Sequence, residues 1–345
     1  MKSKYYRYNN GKVSFTKLLS QRDKEIRDKW EKEQNELKKK LIDKDDHNWV
    51  INNNEEDEKN KKEESKNKNE AKKDKKEEKK EDKKEEKKDE KEPLNSINII
   101  EEDKKEKLRY IGGVDISFDK YDKNVGISGL VVCDVEDNFT IVYEDYRLIR
   151  IEEPYIPSFL AFREVKPYVD LINELKKNKP EFIPQVILCD GNGILHTRGF
   201  GIASHLGVLT DIPTIGCAKT VFSLYDEGIT DNYVKDIYYN NLRYFGDSYA
   251  LKGYSGTQWG YVLRTTKHYA PIIISIGHKV SNETALEITK MCCFYKEPEP
   301  IRLADLITRR LIKAYQKFVF KNPKKNWDLK KYFNKNFNYI HDKLY

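Results

Sequence analysis

One stretch, VILCDGNGILHTRGFGIASHLGVLTDIPTIGCAKT at residues 186–220, restricts the fold more than any other part of the chain. It begins with a short apolar run, which is typical of a strand buried on both faces. A helix over residues 200–209 and a second apolar strand over 214–218 are expected to follow. A strand, a helix and a strand in this order pair as parallel neighbours, so the stretch predicts an α/β sheet.

A tract rich in lysine and glutamate precedes this stretch. Residues 55–92 hold 16 lysines and 17 acidic residues, with almost nothing apolar among them. Such a segment cannot bury enough surface to offset the entropy of ordering, so residues 52–107 are predicted to be a disordered insert. Two roles remain open for it: a solvated helix stabilised by charge pairs one turn apart, or a binding arm.

Outside the tract the chain is basic, with 49 lysines and arginines against 41 acidic residues. This balance favours a polyanionic partner such as nucleic acid. The five cysteines lack metal-ligand spacing and are expected to be reduced thiols in the core. Because no apolar leader and no apolar run near 18 residues occurs, we expect a protein inside the cell, cytoplasmic or nuclear, without a membrane partner. We also expect it to be a monomer.

The other predicted elements alternate along residues 108–320, which are interpreted as the catalytic domain. A helical arm within residues 1–51, with a helix over 15–45, is expected to pack on this core. Strands are predicted over 110–118, 125–135, 140–149, 259–264 and 271–276, and helices over 157–177, 281–294 and 301–318. Short links between the first three strands predict antiparallel pairing. The fold class is therefore a mixed α/β sheet, three antiparallel strands followed by parallel strands, flanked by helices.

The carboxyl end of the chain, residues 321–345, combines aromatic residues with lysines. Two interpretations remain open for this extension. It either packs on the core as a further helix or offers rings and cations to nucleic acid.

Two aspartates mark neighbouring predicted strands. Asp115 interrupts the strand YIGGVDISF, where aspartate is a poor strand former, and Asp190 ends the run at 186–189. If these strands lie side by side, the two carboxylates meet and repel unless a divalent cation or a raised pKa compensates. Oxygen ligands select Mg²⁺ or Mn²⁺ rather than zinc. The alternative is that Asp115 is an edge-strand residue facing water.

Two further acids lie on predicted helices with apolar stripes. Glu164 is placed to reach the same edge of the sheet, although a surface salt bridge with Arg163 or Lys166 also explains it. Asp305 is a polar residue in line with a buried helical face. Four acids from four elements suit metal-dependent hydrolysis of a phosphodiester.

The motifs GGVDISF, PYIPSFLAFRE, ILCDGNGILHTRGFGIASHLGVLTDIPTIGCAK, ISIGH and EPEPIRLAD occur in this order. In this set the chain resembles the endonuclease V family, ribonuclease H-like nucleases that act on inosine in nucleic acid. The resemblance implies that Asp115, Asp190 and Glu164 bind metal and that Asp305 completes the catalytic set. It also implies that Tyr155 is a wedge entering the stack beside the target base, which lowers the cost of extruding that base.

The resemblance assigns further residues to substrate binding. Pro154, Ile156 and Pro157 surround the wedge, and Lys219 suits the scissile phosphate. The extruded base is expected to contact Leu160, Gly191, Gly193, His196 and Ile202, with backbone groups of the two glycines reading inosine. His278 is either a phosphate contact or a histidine satisfied by backbone, and His205 is interpreted as core.

Two departures from the family pattern stand out. Ser158 occupies a position where the family usually has glycine, and DGNG has asparagine where bacterial-type members tend to have histidine. DGNGILHTRGFG resembles the eukaryotic type, which prefers RNA, so RNA is the favoured substrate, with inosine-containing DNA tolerated. The predicted function is Mg²⁺-dependent cleavage of the second phosphodiester 3′ to inosine, leaving 5′-phosphate ends. The alternatives are a non-catalytic inosine-RNA reader and a nuclease of different specificity.

Overall fold

The structure, a computed structural model, describes residues 20–51, 105–266, 270–323, 325–328 and 331. The chain divides into two compact units, residues 48–108 and residues 1–47 with 109–345. In the smaller unit, strands β1 (Trp49–Val50) and β2 (Glu106–Lys107) pair in parallel. The predicted insert 52–107 therefore extends too far, because its last residues form β2. Residues 52–104 of that prediction lie outside the described residues.

The larger unit is built around an eight-stranded sheet in the order β5-β4-β3-β6-β7-β10-β9-β8. Its strands are β3 (Tyr110–Phe118), β4 (Val125–Asp134), β5 (Thr140–Arg150), β6 (Val186–Cys189), β7 (Thr214–Ala218), β8 (Ser248–Lys252), β9 (Gln258–Leu263) and β10 (Ile272–His278). Its described α-helices are α1 (Gln21–Lys38), α2 (Ala161–Asn178), α3 (Ile202–Thr210), α4 (Asp231–Asn241), α5 (Asn282–Cys292) and α6 (Glu299–Lys321). Short 3-10 helices occupy Pro180–Phe182 and Tyr225–Glu227. No helix among these described residues has the length and apolarity needed to cross a bilayer.

The strand directions follow from the connections. β3, β4 and β5 are joined by short polar turns and pair antiparallel, as predicted. β6 and β7, which are separated by α3, run parallel to β3 and to each other. The parallel part of the sheet ends there, because β10, β9 and β8 extend it antiparallel. The mixed sheet with flanking helices is confirmed.

Helices cover both faces of β4, and every residue of this strand is buried. On one face Leu130 and Val132 pack with Val165 and Leu171 of α2. On the other face α6 lies close to the sheet because two glycines leave room for it. A Cβ at Gly113 would stand 2.2 Å from the Pro300 backbone, and one at Gly129 would stand 2.7 Å from Thr308 Cγ2. This close approach brings α6 beside Asp115.

The predicted helix over residues 15–45 is shorter where the structure describes it. Residues 15–19 lie outside the described residues, and α1 ends at Lys38. The following segment packs instead on the start of α5, where Asp45 accepts hydrogen bonds from Ser281 N and Thr284 Oγ1 at 2.7 and 2.9 Å. These bonds hold the segment against the amino end of α5, so the chain leaves the axis of α1.

Among the α-helices and sheet strands that the structure describes in the larger unit, α4 and β8 were not predicted. In α4 only Val234 and Ile237 are buried, so its helical periodicity is weak. β8 is an edge strand in which Leu251 is the buried residue. A sequence signal for α4 did exist, because the Thr230 side chain accepts a 3.2 Å hydrogen bond from Tyr233 N and caps the helix.

The five cysteines are free and buried, as expected from their apolar contexts. Near the carboxyl end, the Trp327 ring stands edge-on to Tyr315 of α6 at 5.5 Å. Through this ring contact Trp327 packs against α6, as the first of the two interpretations of the extension expects. Residues 332–345, where most of the predicted aromatic extension lies, are outside the described residues.

Candidate active site

Asp115 lies on an interior strand of the sheet and is 7% exposed. It therefore does not face water, as an edge-strand residue would. Thr308 Oγ1 of α6 donates a 2.7 Å hydrogen bond to Asp115 Oδ2. Burial, opposed by this hydrogen bond and assisted by the negative charges of Asp305 and Asp190, raises the pKa of Asp115 to about 7.

Asp190 meets Asp115 through the register of two parallel strands. Val114 is paired with Cys189, so the residue that follows in each strand is an aspartate at the same edge of the sheet. Asp190 Oδ2 accepts a 2.8 Å hydrogen bond from Lys219 Nζ, at the end of β7. The predicted side-by-side placement of these two strands is confirmed.

Lys219 is held between two carboxylates. Its Nζ also lies 3.2 Å from Glu297 Oε2, in the segment before α6. Burial opposes the charge of Lys219, but Asp190 and Glu297 outweigh it and raise the pKa of Lys219 above its usual value. The lysine is a fixed cation at the edge where a phosphate is expected.

Glu164 lies in the first turn of α2. Burial, followed by the negative charge of Asp115, raises the pKa of Glu164 to about 7, although Arg163 opposes this shift. Lys166 pairs with Asp170 at 2.8 Å rather than with Glu164. The raised pKa places Glu164 within the electrostatic reach of Asp115 and Asp190.

Asp305 belongs to the same neighbourhood but is engaged elsewhere. Its charge raises the pKa of Asp115. Its Oδ1 accepts from Arg309 Nε at 2.6 Å one helical turn later, with the side chain 13% exposed. Of the four predicted acids, Asp305 is thus the one neutralised by a surface arginine.

The donor set fits a divalent cation. Buried carboxylates that resist ionisation lack a compensating cation, and hard oxygen donors suit Mg²⁺. Within the described ranges, no three His, Cys, Asp or Glu side chains are placed to hold one ion together. Magnesium commonly takes one or two carboxylates and completes its shell with water or phosphate oxygens, so this arrangement is compatible with it.

In the segment before α2, one aromatic ring is exposed while the residue next to it is buried. Tyr155 is 65% exposed, whereas its neighbour Ile156 is 2% exposed and packs with Trp30 and Phe159. The prolines at 154 and 157 restrict the backbone on either side. The arrangement is that of an anchored loop with a protruding tyrosine, as the wedge prediction requires.

Ser158, in the same loop, has a φ of 66°, in the left-handed region that favours glycine. Arg198 fixes it by donating to Ser158 O and, at 3.2 Å, to Ser158 Oγ. The Arg198 guanidinium also lies 3.9 Å from the Phe159 ring centroid and donates to the Gln34 side chain. The left-handed serine explains why α2 begins at Ala161 and not at Pro157.

The residues assigned to the extruded base are partly brought together. A Cβ at Gly191 would lie 2.6 Å from Ile202 Cγ2, so these two residues are in contact. Leu160 is 44% exposed and directly precedes α2. The Gly193 N–H donates to Ser275 Oγ at 2.8 Å, and the Gly193 carbonyl accepts from Gly201 N. The Gly193 N–H therefore already has a hydrogen-bond partner within the protein.

His196 is buried and neutral in this structure. Burial lowers its pKa to about 4. Its Nε2 lies 3.1 Å from Ser158 O, and its ring lies 4.8 Å from that of Phe222. The side chain connects the glycine-rich segment after β6 to the wedge loop.

His278 is placed away from the acids and has a backbone partner, as the second interpretation of this residue expects. It pairs with Thr214, the first residue of β7, whereas Lys219 follows the last one. Its Nδ1 accepts from Ile42 N at 3.2 Å. Because β10 runs antiparallel to β7, its last residue lies at the other end of that strand. His205 packs against Phe162 and Phe200, which confirms it as a core residue.

Four residues of the site were not singled out from the sequence: Thr308, Glu297, Arg198 and Gln34. Thr308 had a usable signal, since it lies three positions after Asp305 on the same helix. Glu297 and Gln34 had none, because their partners are distant along the chain.

Comparisons with known proteins agree with this geometry. A family model described as endonuclease V matches residues 93–306. Mouse endonuclease V is 43% identical over 207 residues, which cover 60% of this chain and 60% of the mouse protein. A crystal structure of human ENDOV superposes with a TM-score of 0.64 at 33% identity, covering 83% of this chain and 98% of that one.

A second solved structure contains nucleic acid. It is Ciona intestinalis endonuclease V in complex with a 24mer DNA containing an inosine followed by a ribo-adenosine, with a TM-score of 0.56 at 34% identity. The similarity covers 60% of this chain and 87% of that one. The family model, the sheet and the carboxylates at its edge lead to one assignment: the chain belongs to the endonuclease V family, which has a ribonuclease H-like fold.

Proposed function

We propose that this protein is a metal-dependent endonuclease that recognises inosine in nucleic acid and hydrolyses the second phosphodiester on its 3′ side. One observation carries the proposal. Asp115, Asp190 and Glu164 come from three different elements and interact electrostatically at one edge of the sheet. Their burial costs free energy that a structural role alone does not repay.

The cofactor we propose is Mg²⁺, for which Mn²⁺ substitutes. Asp115 and Asp190 would hold it, with Glu164 beside them. When bound, such an ion polarises a phosphate and lowers the pKa of a water molecule. Because two of these carboxyl groups have pKa values of about 7, metal binding is expected to release protons.

The protein's own side chains position the substrate. Lys219 is a cation fixed 2.8 Å from Asp190, and it is placed to orient the scissile phosphate beside the acids. Tyr155 offers an exposed ring to fill the gap left by an extruded base. The protein surface around Gly191 and Ile202 would exclude water from the extruded base.

RNA is the favoured substrate. The support is the resemblance of DGNGILHTRGFG to eukaryotic-type members. Matched strands that differ in the sugar at each position test the preference. A higher rate on the DNA strand would contradict it.

The proposal is tested by incubating purified protein with end-labelled RNA and DNA strands that carry inosine or adenosine at one position. With Mg²⁺ we expect a single cut on the inosine strands, lost in EDTA and restored by added Mg²⁺. Asp115→Asn should lower the rate at least about a hundredfold. Equal cutting of adenosine strands would indicate another specificity. Binding without turnover in either metal would indicate a non-catalytic reader.

A further inference from the structure

A cavity of about 610 Å³ opens beside the candidate active site. It lies between α4, the residues after β7 and the start of β10. Cationic and aromatic side chains dominate its polar lining, together with one acid: Lys219, Lys235, Arg264, Tyr238, Tyr239 and Asp231.

The cavity is continuous with the catalytic edge but separate from the predicted base pocket. Lys219 lines it, and the same Nζ lies 2.8 Å from Asp190 Oδ2. None of the residues assigned to the extruded base lines it. A strand that leaves the base pocket and passes Lys219 therefore has this cavity on its path.

The lining matches a nucleotide. Tyr239 is 77% exposed and stands edge-on to Tyr238 at 5.2 Å, so its ring is available to a planar group. Arg264 lies over the Tyr238 ring at 4.7 Å. Exposed Lys235 adds a cation on the same helix. Rings that stack on bases, next to cations that follow a backbone, are the usual means of binding single-stranded nucleic acid.

We propose that this cavity binds the nucleotides of the substrate that lie 3′ to the scissile phosphate, with a base on Tyr239 and a phosphate on Lys235. The inference rests on the proposed function. Because the cut lies 3′ to inosine, the chain on the far side of Lys219 from the base pocket is the 3′ portion. The binding of this portion requires it to be single-stranded, since the faces of a base inside a duplex are already stacked on its neighbours and are not free for the ring.

The test uses the full chain and two labelled inosine RNAs, one with about eight nucleotides after inosine and one with two. Tyr239→Ala combined with Lys235→Ala should raise the half-saturating concentration about tenfold on the long strand. The maximal single-turnover rate should stay within about twofold, and the short strand should be unaffected. The control is Tyr254→Ala with Lys252→Ala, an exposed tyrosine and lysine that do not line the cavity.

Unchanged affinity for the long strand, or equal weakening on both strands, would overturn the subsite. Loss of affinity only when the 5′ side is shortened would overturn its assigned polarity. If the wild-type protein cuts neither strand, the proposed function fails, and equilibrium binding of the same labelled strands then decides the subsite by the same tenfold criterion.

Discussion

The charge of Asp115 is favoured by the hydroxyl of Thr308 and by Lys219 but opposed by burial and by two neighbouring carboxylates. Thr308 donates to it, while burial and the charges of Asp305 and Asp190 keep its pKa at about 7. A site of this kind costs stability until a cation arrives. The cost has a measurable signature in the pH dependence of unfolding.

We expect the metal-free protein to lose stability as the pH rises from 4 to 7. In that range Asp115 keeps its proton when folded, with a pKa of about 7, but releases it when unfolded, near 3.8. The unfolded state therefore binds fewer protons, and the free energy of unfolding falls with rising pH. Asp115→Asn should remove part of this fall and be more stable than wild type at pH 8 in EDTA, by on the order of 2 kcal/mol.

Urea denaturation at pH 5 and pH 8 measures this effect. Asp119→Asn is the matched control, since Asp119 is also buried but accepts from Gln316 Nε2 at 2.7 Å. If Asp115→Asn and wild type lose the same free energy of unfolding between pH 5 and pH 8, the surroundings of Asp115 do not disfavour its charged form.

Ser158 carries a backbone conformation that a glycine adopts without strain. We expect Ser158→Gly to raise the free energy of unfolding by about 0.5 to 1 kcal/mol, because the left-handed region costs an L-residue about 1 to 2 kcal/mol. Ser158→Ala keeps the strain and loses the contact of Oγ with Arg198, so it should be less stable than wild type. Thermal unfolding of the three proteins separates these cases. No gain in the glycine variant would refute the strain, and a gain in the alanine variant would show that the Oγ contact does not stabilise the fold.

At the scale of elements, the wedge loop is supported by α1 and by the segment after β6. Arg198 joins them, with its guanidinium on Phe159 and its hydrogen bonds to Ser158 and Gln34. Gln34 in turn donates from Nε2 to Phe200 O at 2.6 Å. The exposed tyrosine of the loop thus depends on a helix more than a hundred residues earlier in the sequence.

Gln34→Ala should lower the free energy of unfolding by about 1 to 3 kcal/mol, because it leaves the Phe200 carbonyl and the Nε of Arg198 without a buried partner. The neighbouring Asn35 is exposed, so Asn35→Ala serves as the control and should change stability by less than about 0.5 kcal/mol. Chemical denaturation measures both. Equal effects would show that the helix, and not its buried amide, carries the stability.

The individual elements were largely predictable. β3 and β7 have the bounds that their apolar patterns predict, and α5 begins after its Ser281 cap. The exceptions are α4 and β8, in which few residues are buried. Weak burial leaves weak periodicity, so the sequence pattern carries little information there.

At the scale of the whole molecule, the lysine- and glutamate-rich tract is expected to be dispensable for cleavage. Residues 55–92 are nearly neutral and precede the family match, which begins at residue 93. A deletion of 55–92 should leave both the rate and the salt dependence of substrate binding unchanged, because few phosphate contacts are lost. A weaker salt dependence in the deleted protein would instead support a binding arm.

The sequence by itself determined most of the strands, the antiparallel pairing of β3, β4 and β5, the parallel pairing of β6 and β7, and the identity of the acids, because these follow from local periodicity, short links and motifs. The antiparallel pairing of β10, β9 and β8 was decided by the tertiary structure. Tertiary structure decided which groups meet. It placed Thr308 on Asp115, Glu297 on Lys219 and His278 at the far end of β7. Contacts between distant segments depend on how closely helices pack on the sheet, as α6 does over Gly113 and Gly129, and this is a property of the folded chain.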